Sequence, residues 1–246
     1  MAVPDALSYW AERGLALQSV MAVSALPPDV HQRLTAAQGR YRQLVLLGHV
    51  GRALWPQALA EAAGAEDPID TAVGRWVAQG MRAHAPGVAW QCLYPGDTTL
   101  SLIRLGECAG WHHPSPFWQG VDADWGPWFA YRAVLLTDTD WPLTPRRARR
   151  SPCLDCADQP CVAACPAQAL LVDQALGLRR CTTHRLRSAS SCDDRCLARL
   201  ACPVGAEHRY STEQLRHHYQ HSLIAIRAWA APADEPSTPG LSGKGC

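Results

Sequence analysis

Cys153-Leu154-Asp155-Cys156-Ala157-Asp158-Gln159-Pro160-Cys161-Val162-Ala163-Ala164-Cys165-Pro166 is the stretch on which the reading of this chain turns. Its thiols are spaced C-x2-C-x4-C-x3-C, with a proline directly after the last. A looser half follows, in which Cys192, Cys196 and Cys202 are spaced C-x3-C-x5-C and closed by Pro203, and Cys181 stands alone between the two. Eight of the eleven cysteines therefore fall between positions 153 and 202 of a 246-residue chain. Asp5, Glu12 and Arg13 interrupt the apolar core that a secretion leader needs, and no stretch nears the roughly 18 apolar residues of a membrane span. A cytoplasmic chain without a membrane partner is expected, and there clustered thiols bind metal or do redox chemistry rather than form a disulfide framework.

The bacterial ferredoxin run is C-x2-C-x2-C-x3-C-P, in which three thiolates hold one 4Fe-4S cluster and the fourth reaches another. The first run here matches it apart from two extra residues before Cys161. Four, one and three thiols make eight, enough for two clusters. By the ferredoxin crossover, Cys153, Cys156, Cys161 and Cys202 belong to one and Cys165, Cys181, Cys192 and Cys196 to the other. Zinc also takes four thiolates from C-x2-C pairs, but two Cys-Pro endings favour iron and sulfur. The irregular second half leaves a single-cluster protein as an alternative.

Outside the cysteines, 48% hydrophobic and 18% charged residues suffice for one large or two small domains. A formal charge of +1 supplies no global attraction to a polyanion. Pro27-Pro28-Asp29 opens a helix through about Tyr41, and Gln43 to Leu47 reads as a short buried strand. Asp67-Pro68 starts a helix to about Ala83, with Ile69, Val73, Trp76 and Val77 on one face. Val88 to Tyr94 is the next strand, Thr99 to Leu105 a helix, Gly106 to Gly126 an aromatic loop, and Trp128 to Thr137 the clearest strand. Arg146 to Arg150 form a basic boundary, Ser211 or Thr212 caps a helix to Trp229, and a Pro- and Gly-rich tail ends the chain. The expected division is an α/β domain over 1–150, a cysteine module with its helix over 151–231, and a tail over 232–246.

The two cysteine runs with Arg179-Arg180-Cys181 between them resemble the iron-sulfur module of epoxyqueuosine reductases and reductive dehalogenases. Gly126-Pro127-Trp128-Phe129-Ala130-Tyr131-Arg132 resembles the Gly-Trp-Phe-Ala-x-Arg strand of the cytosolic cobalamin-processing proteins that decyanate and dealkylate cobalamins. Asp67-Pro68-Ile69-Asp70 and Arg209-Tyr210-Ser211-Thr212-Glu213-Gln214 are similar to further segments of the same proteins, and Ala109-Gly110-Trp111 resembles the epoxyqueuosine reductases. The likeness spans about Leu44 to Leu215. It implies an α+β or α/β, flavin-reductase-like (nitroreductase-like) corrinoid-binding domain followed by a ferredoxin-like two-cluster module. It further implies two 4Fe-4S clusters, cobalamin or another small-molecule substrate, and an external electron donor of flavodoxin or ferredoxin type. Epoxyqueuosine reductases add a C-terminal helical-repeat extension and basic surfaces for tRNA, which these residues do not match, so tRNA reduction stands as an alternative. A ferredoxin-type carrier without corrinoid is another.

By the same resemblance Trp128, Phe129, Ala130, Arg132 and Arg209 line the cofactor pocket, and Asp97 falls near a proton-donating acid. Each has a structural counterpart: an internal ion pair for Arg132, a surface arginine for Arg209, and a helix cap for Asp97. His217, His218 and His221 read as solvated, and His112 and His113 as packing on Trp111 or Trp118. Trp111, Trp118, Trp125 and Trp128 could wall a flat macrocycle or fill a core. The Arg146 to Arg150 run reads as an anion dock or a solvated linker, and Cys92 and Cys108 as buried thiols. No Walker loop, G-x-G-x-x-G or nucleophile elbow is present, which leaves nucleotide-dependent transfer and serine hydrolysis without support.

Overall fold

Gln43 to Val50 alternates its apolar side chains to two sides, Leu44 and Leu46 into one core and Val45 and Leu47 into another. A strand buried on both faces needs cover on both, and this requirement sets the architecture. The computed structural model describes residues 4–34, 40–96 and 99–230. Four strands, β1 (Leu17–Ala22), β2 (Gln43–Val50), β3 (Trp90–Tyr94) and β4 (Phe129–Thr137), form an antiparallel sheet in the order β1-β2-β4-β3. The helices are α1 (Asp5–Glu12), α2 (Pro28–His31), α3 (Leu54–Glu61), α4 (Pro68–His84), α5 (Leu102–Ala109), α6 (Pro160–Ala163), α7 (Gln174–Arg185), α8 (Leu197–Ala201) and α9 (Thr212–Ala230).

One face of the sheet takes α1, α3 and α4, with Trp10, Leu54, Ile69, Val73, Trp76 and Val77 packed on Val45, Leu47, Ala133 and Leu135. Asp67 starts α4 as expected, its side chain accepting from the Asp70 amide at 3.1 Å. The other face takes α2, α5 and Trp111 over Leu44, Leu46, Val134 and Leu136. The expected helix from Pro28 is short: after α2 a 3-10 turn runs Gln32–Leu34, and 35–39 lie outside the described residues. The expected helix over Thr99 to Leu105 is displaced to Leu102–Ala109, because the Ser101 hydroxyl caps it and Gly110, at φ +77°, ends it. Part of the segment read as an aromatic loop is thus helical.

The chain then straps back over the sheet. The Thr144 amide donates to Val20 O at 2.9 Å on the outer edge of β1. Arg147 pairs with the buried Asp122 and with Asp124, Arg149 with Asp124, and Arg150 with Asp155. The run read as an anion dock or solvated linker is largely internally paired. Phe117 and Val121, from the segment after α5, complete a small core with Cys161 and Ala198. Gly126 sits at φ +57° with the Val204 carbonyl where a Cβ would be, so a side chain there would separate the sheet from the loop after Cys202. Among the described residues no helix is long and apolar enough to cross a membrane.

Candidate functional site

Short turns and helices carry most of the thiols, and α7 carries Cys181. Cys153 lies in a 3-10 turn (Pro152–Asp155), Cys161 in α6 behind Pro160, Cys181 midway along α7, Cys196 at the N-cap of α8 and Cys202 at its C-cap. Cys161, Cys192 and Cys202 are buried and the other five half-buried. The thiols influence one another in two sets. Burial, then Cys202 and Cys156, push Cys153 up; burial, then Cys202, Cys153 and Cys156, do so for Cys161. Cys181 is pushed up to about 11 by burial first and then by Cys196, Cys165 and Cys192, against Arg185. The second set also lines one cavity of about 280 Å³, where Cys165, Cys181, Cys192 and Cys196 face Trp118 and Tyr219. Among the described residues no three His, Cys, Asp or Glu side chains are gathered as a site for a single metal ion.

Arg132 occupies a special position. The register of β2 against β4 pairs Leu47 with Ala133 but Gly48 with Tyr131, so Arg132 is the extra residue of a β-bulge. A bulge re-aims its side chain, and Arg132 Nε donates to Nδ1 of His49 at 2.9 Å. Its partner is therefore an imidazole, and among the described residues it forms no ion pair with a carboxylate. With Nδ1 accepting, the ring proton sits on Nε2, 3.5 Å from the Gln214 carboxamide. A half-turn of that carboxamide lets Oε1, which otherwise has no partner, accept it. His49 is fully buried and stacks on Tyr210 at 5.4 Å. No motif in the sequence marks His49, for which a histidine ending an apolar strand is the available signal, and Gln214 enters only as the last residue of the segment from Arg209.

Burial, then the charge of Arg132, holds His49 well below its ordinary value, and burial, then Arg132, takes His218 to about 3. Below about pH 6.5 the unfolded chain binds protons that the native state refuses, so stability falls as pH drops. For His49 the slope is about 1.4 kcal/mol per pH unit. Denaturant unfolding between about pH 7 and pH 5 is expected to show a shallower slope for His49→Gln than for the wild type; equal slopes would refute the assignment.

The other sequence-selected residues are dispersed. Trp128 is fully buried under α9, against Tyr210, Leu215 and Tyr219, with its ring taken up by protein, and Phe129 lies in the opposite core. Ala130 is half-buried on β4. Arg209 donates to Leu200 O at 2.7 Å, tying the end of α8 rather than pointing freely to solvent. Asp97 lies outside the described residues, as does Cys246. The expected solvated histidines are a correction: His217 packs on Trp55 at 4.7 Å and His218 Nε2 is buried. His112 meets the Tyr131 hydroxyl at 3.2 Å, and Trp111 stacks on Tyr131 at 6.3 Å. Trp111, Trp118, Trp125 and Trp128 do not form one wall: Trp111 and Trp125 pack in the core under α2 and α5, Trp128 lies under α9, and Trp118 lines the cavity of the second thiol set. Cys92 and Cys108 are half-buried rather than buried. A groove of about 650 Å³ opens between β1, α5 and the strap, with Arg104, Cys108, His112 and Arg146 on its wall.

These elements define a mixed α/β class of protein: an antiparallel sheet covered on both faces, joined to a module of two cysteine runs. No family model matches the chain, and no curated protein matches it in sequence. Among solved structures it is similar to epoxyqueuosine reductase from Streptococcus thermophilus, at TM-score 0.51 and 12% identity over 82% of this chain and 65% of that one. It is similar also to epoxyqueuosine reductase from Bacillus subtilis, at TM-score 0.54 and 12% identity over 85% and 66%. A B12-trafficking protein from C. elegans overlaps 94% of the chain and 97% of its own length at TM-score 0.46 and 11% identity. The chain thus shares its fold with the epoxyqueuosine reductases and spans about two thirds of their length.

Proposed function

We propose that this protein is an iron-sulfur oxidoreductase that delivers electrons through two 4Fe-4S clusters to a bound corrinoid, for reductive processing of cobalamin or reduction of a small substrate. The observation that carries the reading is the division of the eight thiols into two sets, each drawing on both cysteine runs. The donor set fits iron and sulfur: eight free thiols, buried or half-buried, seven in or beside short turns and helices and Cys181 on α7. The fold shared with epoxyqueuosine reductases supports a reductase, and the sequence resemblance supports the corrinoid. When bound, the clusters supply one-electron chemistry and the corrinoid a reducible cobalt centre.

The chain's own part is positional. Cys153, Cys156, Cys161 and Cys202 would hold one cluster, and Cys165, Cys181, Cys192 and Cys196 the other. The groove beside β1 would take the small molecule, with Arg146 on its wall; Arg104 there is already paired with Asp29 and Glu107. Trp128 and the Gly126 contact fix the sheet against the cysteine module. Electrons come from an external carrier of flavodoxin or ferredoxin type.

Anaerobic purification with iron, sulfide, zinc and cobalt quantified on one sample tests this. About eight iron per chain supports two clusters and about four supports one; zinc without iron overturns the reading. Cobalamin added to the reconstituted protein is expected to co-elute and change its spectrum. Full iron with no change in the corrinoid would leave a ferredoxin-type carrier.

A further inference from the structure

Arg185 and Arg199 are among the few charged residues that the fold encloses, at 9% and 7% exposure. A buried guanidinium is costly unless an anion faces it. Among the described residues neither forms an ion pair with a carboxylate. Arg185 donates to Cys192 O at 3.1 Å, Tyr219 O at 2.9 Å and Ser222 Oγ at 2.9 Å. Arg199 donates to Pro127 O at 2.6 Å and lies 4.7 Å over the rings of both Trp128 and Tyr210, while its Nε has no partner. These contacts satisfy hydrogen bonds and ring faces, but they do not neutralise two positive charges.

What lies beside both is the second thiol set. Arg199 follows Cys196 by one helical turn, its amide 3.4 Å from Cys196 Sγ. Arg185 follows Cys181 by one turn on α7 and lines the same cavity as all four thiols. Tyr219 is influenced by both guanidinium groups, has Arg185 over its ring at 5.1 Å, and lines that cavity. Of the other cations nearby, Arg195 and Arg216 both pair with Asp194, and Arg179 and Arg180 are exposed to solvent. Beside the first thiol set, Arg209 near Cys202 is half-buried and Arg150 near Cys153 is exposed and paired with Asp155.

We propose that Arg185 and Arg199 are the built-in counter-charges of the cluster held by Cys165, Cys181, Cys192 and Cys196, and that they raise its reduction potential above that of its neighbour. The inference builds on the two-cluster reading and goes beyond it by ranking the clusters. One electron from an external one-electron donor adds one negative charge to the cluster and its thiolates, with no bond made or broken. Two enclosed guanidiniums stabilise that added charge, since the low-dielectric surroundings screen them little.

The test is an EPR-monitored redox titration of anaerobically reconstituted protein, with the second cluster's signal identified by its loss in Cys181→Ser. Arg199→Met and Arg185→Met are each expected to lower the potential of that signal alone. At a fixed potential the ratio of reduced to oxidised cluster should drop at least tenfold, about 59 mV for a one-electron couple. Arg199→Lys and Arg185→Lys, which keep the charge, should recover most of it. Full iron content with unmoved potentials, or an equal shift in both signals, overturns the proposal. Wild-type protein without iron overturns the two-cluster reading instead. If one methionine variant fails to fold, the other arginine's Met and Lys pair decides by the same criterion.

Discussion

Cys181→Ser is expected to cut the iron content of anaerobically reconstituted protein by half, from about eight per chain to about four, and to spare the other cluster. Cys181 projects from the middle of α7 into the cavity that Cys165, Cys192 and Cys196 also line. An oxygen ligand in a half-buried thiolate position binds iron more weakly than sulfur does. The same loss is expected from Cys165→Ser, although Cys165 closes the first cysteine run. Cys153→Ser and Cys202→Ser, at opposite ends of the two runs, should remove the other cluster together. Iron and sulfide analysis with EPR on the four variants decides the pairing. If Cys165→Ser abolished the same signal as Cys153→Ser, each run would hold its own cluster and the crossover would be wrong.

The second large effect is on stability. Trp128→Ala should lower the unfolding free energy by about 3–5 kcal/mol, the range for losing a large buried aromatic side chain. Trp128 is fully buried and meets Tyr210 edge-on at 5.5 Å with the Arg199 guanidinium on its ring. Its removal leaves a cavity between the sheet and α9 and deprives a buried cation of a ring face. Trp128→Phe should recover a large part of the loss. Anaerobic denaturant unfolding of the three proteins measures it, and a loss below about 1 kcal/mol for the alanine variant would mean that this joint does not hold the halves together.

What was legible in the sequence was what periodicity encodes. β2 and β4 read as strands because each carries a continuous apolar run, Leu44 to Leu47 and Ala133 to Leu136, and α4 as a helix because its apolar face repeats at 3.6 residues behind an Asp-Pro cap. β1 was missed because Gln18 and Ser19 interrupt an edge strand that needs only one hydrogen-bonded neighbour on the sheet. α1 and α3 were missed as well, each eight residues long and too short to repeat a pattern. In the candidate site, cysteine spacing is local and was readable. The bulge that aims Arg132 at His49 is a mismatch between two strands 83 residues apart, and no spacing within either strand encodes it.

The crossing of the thiol sets also bears on how the chain acquires its final shape. Around the first set the apolar core is small, with Phe117, Val121, Cys161 and Ala198 its only fully enclosed members among the described residues. Such a core is a weak staple by itself, so bound iron and sulfide would act as cross-links that close the long loop between Cys161 and Cys202. Neither cross-link can be completed until Cys192, Cys196 and Cys202 have left the ribosome. On the two-cluster reading, maturation of this region would therefore be a late event, following synthesis of all four strands of the sheet.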